Sequence, residues 1–264
     1  MVDVSLIVLI IFVISTLLGV YKLIKLGVTI AGFISVAISA ALLFMGVALY
    51  LDVNEFQEKF ETAPKLFLLK EGDTLLAGFS GVLGKAGEKP ALLSAESLMD
   101  LQATYDAKDL ASMLGDNYKL FIINITVFNN ITEDLLVEDE AYAKDQIVAM
   151  IHSPTAMDDF TEDLLQRKDI SAQQHDTVKR QLVAKLQKDA PDDTAFKGNL
   201  FMLLLAQAVK EQGSRFILTE FQHGHIRIYP ETALFKLVKY TPPRYLSQIL
   251  RESTAAANMT APQV

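Results

Sequence analysis

The chain opens on two uncharged runs, Val4–Tyr21 and Val28–Leu51, which as helices would be about 27 Å and about 36 Å long. Both lengths are near the thickness of a bilayer's hydrocarbon core. The six residues KLIKLG between them allow only a tight turn, so the pattern predicts a two-helix transmembrane hairpin over residues 1–51. Ser15 and Gly19 on the first run, and Ala31, Ser35 and Ser39 on the second, have the small-xxx-small spacing that lets membrane helices pack closely. Residues 52–64 then read as a juxtamembrane helix, with Val53, Phe56 and Phe60 on one side and Pro64 as its stop.

Beyond Pro64 the period changes. Lys65–Lys70 and Thr74–Phe79 alternate around Glu71-Gly72-Asp73 and predict a β-hairpin. Tyr118–Phe128 is apolar on both faces and predicts a central strand. Between them, Ser94 and Asp106 are placed to cap two helices, the second ended by Gly115. Helical spacing resumes from Thr132, with Leu135, Leu136, Ile147 and Ile151 inward, and again after Ser153-Pro154, Ser171 and Thr194. Arg215–Phe221 and His225–Tyr229 read as a second hairpin around His223-Gly224, and Pro230 and Pro243 open two last helices. The expected fold is therefore α+β: the membrane hairpin, then one soluble domain over 65–251 with about five mostly antiparallel strands and a helical insertion. Residues 252–264 read as a disordered tail.

The opening segment, VDVSLIVLIIF…LLGVYKLIKLG, resembles the start of colicin V production-type membrane proteins. That resemblance covers less than a tenth of the chain and implies no activity or site residue.

Charge sharpens the location. Residues 1–51 carry only Asp3, Lys22 and Lys25, a net +1, so the rest of the chain carries −9 against −8 for the whole. An acidic domain argues against nucleic acid as a partner. The lysines of the Lys22–Gly27 turn, set against lysine-free flanks, predict a cytoplasmic turn with the N-terminus and the C-terminal domain outside. Three sequons, at Asn124, Asn130 and Asn258, agree with an exterior domain where the host glycosylates. The chain has no cysteine, which excludes disulfides, thiolate metal sites and a thiol nucleophile. No cofactor is expected.

Candidate chemistry is sparse. GFSGVLGKAG (78–87) fails the phosphate-loop pattern at Phe79 and Ala86 and fails G-x-S-x-G at Val82. Ser80 with Lys85 or Lys89 could form a Ser–Lys dyad, given a lysine desolvated enough to act as base. Their ordinary reading is a polar loop. His223 and His225 have ligand spacing and Glu220 is near in sequence, so the three are the candidate metal ligands; a solvated turn is the competing reading. Acidic runs at 138–140, 158–163 and 192–193 lack calcium-loop order and read as solvated faces.

Three functions are consistent with this. The first is a membrane-anchored, non-enzymatic interaction or scaffold module, engaging the bilayer and a protein partner or a second copy of itself. The second is an anchored hydrolase using the Ser–Lys or His–metal set. The third is a cytoplasm-facing adaptor or transporter accessory subunit.

Overall fold

The computed structural model describes residues 30–82, 89–137, 139–168, 172–213 and 215–241. Its contacts divide the chain into residues 1–58 and 59–264, taken here in turn.

Helix α1 begins at Ile30, within the first unit, and runs without a break to Thr62. The juxtamembrane residues thus continue the second apolar run as one helix. Its last turns carry Asp52, Glu55, Glu58, Lys59 and Glu61. Among the described residues no helix is long and apolar enough to cross a membrane. The expected transmembrane hairpin is corrected accordingly, and the integral-membrane location and the orientation built on it lose their support. The first predicted span, its turn, Ser15 and Gly19 lie outside the described residues, as does the tail. Ala31, Ser35 and Ser39 lie on α1, where Ser35 is exposed.

The second unit is α+β around a mixed five-stranded sheet of order β3-β2-β1-β4-β7. The strands are β1 (Lys65–Glu71), β2 (Thr74–Gly81), β3 (Ala91–Leu92), β4 (Lys119–Asn124) and β7 (Ile226–Tyr229). Only the central β1–β4 pairing is parallel. Gly72, at φ +56°, makes the β1–β2 turn in the left-handed region that suits glycine. A separate two-stranded ribbon pairs β5 (Leu135–Val137) with β6 (Glu140–Tyr142).

Strand alternation gives the sheet two different apolar faces. Phe79, Phe67, Phe121 and Ile228 are cross-strand neighbours along one face. The Phe67 ring stacks on Phe79 at 5.0 Å and on Phe121 at 4.8 Å. Helix α7 (Asp193–Gln212) covers this row, with Phe201 packing on Phe79 at 5.3 Å. On the other face Leu66, Leu68, Leu75, Leu120 and Ile122 pack with Leu110 and Met113 of α3 (Leu110–Leu114) and with Leu98 and Leu101 of α2 (Ala95–Asp106). Helices α4 (Lys144–His152), α5 (Ala156–Arg167) and α6 (Ala172–Asp189) precede α7. Then come α8 (Arg215–Gln222), β7 and α9 (Ala233–Tyr240).

Helix α7 approaches the sheet closely enough that no side chain fits between. A Cβ on Gly198 would lie 2.8 Å from the Gly78 carbonyl oxygen. Asp192 fixes the start of α7 by accepting from Ala195 N at 2.7 Å, and it also accepts from Ala95 N, which ties α7 to α2.

Four local expectations change. The central strand stops at Asn124, whose side chain accepts from Thr126 N and turns residues 125–130 into a 3-10 helix. Leu135 and Leu136 lie in the β5–β6 ribbon rather than in a helix. Arg215–Gln222 is helical rather than a strand, because Phe216 and Glu220, one turn apart, share its buried side. Asp109, not Asp106, caps α3 by accepting from Ser112 N.

Lys65 and Lys119 begin the two parallel strands as register partners, and both are buried. Lys65 Nζ donates to Ala63 O at 2.8 Å and lies over the Phe60 ring; Lys119 Nζ donates to Pro230 O at 2.9 Å. Desolvation holds the Lys65 pKa below the ordinary lysine value of 10.5.

Two measurements check this packing. Gly198→Ala should destabilise the domain by about 1–3 kcal/mol, the usual cost of overpacking, read as a lower denaturation midpoint. For Lys65 the folded-state pKa lies below the unfolded one, so the penalty on its charge is full at lower pH. Stability should rise as pH climbs from the folded value towards 10.5, where the unfolded chain alone holds the proton. Lys65→Met should flatten that alkaline rise in urea unfolding curves taken at successive pH values.

Candidate functional site

The end of α8 and the start of β7 bring chemistry-bearing groups together. Helix α8 closes with His223 N donating to Thr219 O at 3.0 Å and Gly224 N to Phe221 O at 3.0 Å. Gly224, at φ +79°, then reverses the chain, and His225 N donates back to Glu220 O at 2.9 Å. The turn is therefore pinned by the backbone before any side chain acts. Its effect is to set Glu220, His223 and His225 side by side. Their ligand atoms all lie within 4.8 Å of one another. Glu220 is buried, with its side chain 8% exposed, and its Oε2 stands 2.7 Å from His225 Nδ1. The two imidazoles are exposed, with centroids 5.9 Å apart. The three residues named from the sequence are thus brought together, by a helix end and a turn instead of the expected hairpin around His223-Gly224.

Beside this turn a groove of about 940 Å³ runs along β7. Phe221, Ile226 and Ile228, all buried, give it an apolar floor, and Gly224 forms part of its wall. Lys108, Arg227, Lys236 and Lys239 line it as well, against Asp109 and Glu231. Lys239 is paired with Glu231 at 3.0 Å. Asp109 is turned to Ser112, whose hydrogen bonds hold its pKa below the usual aspartate value. Among the described residues, no carboxylate pairs with Lys108, Arg227 or Lys236, and all three are exposed. Lys108 is held in the left-handed region at φ 59°, an uncommon conformation for a long side chain. None of these cations was legible as a site residue: each is isolated in sequence, and only the packing of α2, β7 and α9 gathers them.

The other candidates are placed differently. Ser80 lies on β2, and its hydroxyl donates to Asn117 Oδ1 at 2.6 Å. Lys89 pairs with Asp189 at 2.7 Å, both well exposed, while Lys85 lies outside the described residues. The acidic stretch on α5 is answered by α6. Lys179 Nζ lies 2.8 Å from Asp158 and 2.5 Å from Glu162, and these hydrogen bonds, with Asp158 the stronger, raise its pKa. His175 Nε2 lies 3.1 Å from Glu162, and His152 Nε2 lies 3.0 Å from Glu71. Asp192 and Asp193 both serve backbone donors, those of Ala195 and Met157.

No family model, no curated protein and no solved structure matches the chain, the family resembled by its opening segment included. The reading of this region therefore rests on its own geometry.

Proposed function

We propose that this chain is a ligand-binding module whose working surface is the groove along β7, and that its ligand is an organic anion with an apolar body. One observation carries the reading. In a chain of net charge −8, three cations with no carboxylate partner among the described residues converge on a single concavity. Like charges gathered over low-dielectric walls focus a positive potential inside the cleft and attract an anion against the sign of the whole domain. Lysine and arginine suit carboxylate, sulfonate or phosphate groups, with arginine adding a forked donor set. The floor of Phe221, Ile226 and Ile228 offers the apolar surface that such pockets use for affinity, and the volume falls in the range of small-molecule sites. This narrows the broader expectation of an interaction module to a ligand class. The Ser80–Lys89 form of the hydrolase reading draws no comparable support, since Ser80 is engaged by Asn117 and Lys89 by Asp189, while Lys85 lies outside the described residues.

The test uses an amphiphilic anion, 8-anilinonaphthalene-1-sulfonate, followed by fluorescence, with its uncharged analogue N-phenyl-1-naphthylamine as reference. The triple variant Lys108→Ala/Arg227→Ala/Lys236→Ala should lose at least about tenfold in affinity for the sulfonate, equivalent to about 1.4 kcal/mol. It should bind the uncharged analogue as the parent does. A charge-matched control, Lys168→Ala/Lys188→Ala/Lys210→Ala, should keep the parent affinity for both probes. Equal losses in the two triple variants would contradict a groove-specific anion site.

A further inference from the structure

Apart from the groove, the turn between α8 and β7 carries a chemistry of its own. The geometry points to a divalent-cation site of the zinc class, formed by Glu220, His223 and His225, with at least one coordination position left open to solvent or ligand.

Three arguments from the structure support it. The first is the donor set and its spacing. Two imidazoles and a carboxylate are ligands that zinc takes at about 2.0–2.2 Å, which puts neighbouring donors about 3.3 Å apart around a tetrahedral ion. The three donors here already lie within 4.8 Å of one another, so no pair is more than about 1.5 Å too far apart, and Glu220 Oε2 and His225 Nδ1 are already in contact at 2.7 Å. The second is rigidity. The backbone bonds from His223 N, Gly224 N and His225 N fix the three Cα positions at the helix end.

The third argument is charge. Among the described residues Glu220 is the single buried carboxylate, and the imidazole of His225 is its ion-pair partner. A carboxylate in the core is costly without a compensating cation, and a dication held by Glu220 supplies that charge. Burial also orders the site. Glu220 stands behind, fixed in the core, while the exposed histidines form the entrance. Three protein ligands leave a fourth position for water or a ligand atom, the arrangement of zinc sites that do more than hold structure. Gly224, between the two histidines, lines the groove, so an anion lying there would be near the ion.

The deciding experiment needs zinc alone and no organic anion, so it stands or falls apart from the groove reading. The full chain, stripped with chelator, is titrated with zinc in competition with a chromophoric chelator. One zinc should bind per chain. His223→Ala and His225→Ala should each weaken binding at least about tenfold, because even losses in the outer shell of a zinc site cost about 10–100-fold. Both positions are exposed, so the fold survives the change, with far-UV circular dichroism as the check. His152→Ala/His175→Ala should retain the parent affinity. Absence of one-to-one uptake, or a loss smaller than tenfold in the double variant His223→Ala/His225→Ala, would overturn the site.

Discussion

The domain depends on how closely α7 can lie on the sheet. Gly198 and Gly78 bring helix and strand together backbone to backbone, and a single methyl group between them meets a carbonyl oxygen at 2.8 Å. That approach lets Phe201 reach the row formed by Phe79, Phe67 and Phe121, whose rings stack across three strands. Aromatic rings bury large areas and gain further from offset stacking, so this row anchors the sheet's α7 face. The opposite face is aliphatic, with leucines and isoleucine meeting α2 and α3. A sheet with two unlike apolar faces leaves its strands one register each.

The candidate site is a consequence of that frame. Helix α7 ends at Gly213, whose N–H donates to Val209 O and whose φ of +73° turns the chain into α8. Phe216 and Phe221 bury one side of α8, and Glu220 is carried inward with them. Strand β7 is then pinned to β4 in antiparallel register, with Asn124 N donating to His225 O to set the first rung. Lys119, buried at the start of β4, donates to Pro230 O and secures the far end of β7. Both ends of β7 are thereby fixed by β4. The groove's cations sit on this strand (Arg227), on α9 (Lys236 and Lys239) and in the turn between α2 and α3 (Lys108). Such cations are positioned by fold, not by local sequence, which is the arrangement expected of a rigid site.

Parts of this were legible in the sequence for identifiable reasons. The β1–β2 hairpin shows itself because alternation on both arms meets an Asp/Gly turn, and Gly72 takes the positive φ such a turn requires. The start of α7 was legible through its apolar run and its stop at Gly213. Other elements were hidden by competing signals. Residues 125–128 continue the alternation of β4, yet the Asn124 side chain captures Thr126 N and turns the chain into a 3-10 helix. RFILTEF fits a strand and a helix equally, as short apolar runs do, and burial of Phe216 with Glu220 decides for the helix. Hydropathy along the sequence predicted two membrane spans, but among the described residues no helix is long and apolar enough to cross a membrane. Glu220, His223 and His225 could be named from residue type and spacing. Their grouping through a helix end could not, and neither could the three cations drawn from distant parts of the chain.

The central claim is that the functional end of this domain is the α8–β7 turn with its groove. The chain's four histidines, His152, His175, His223 and His225, make that claim directly readable. Ring nitrogen resonances of the full chain, followed by ¹H–¹⁵N correlation spectra as zinc is added, report each imidazole separately. The account predicts that the signals of His223 and His225 move together and saturate at one equivalent, while those of His152 and His175 stay in place. Movement of all four in parallel, or of His152 and His175 alone, would contradict it.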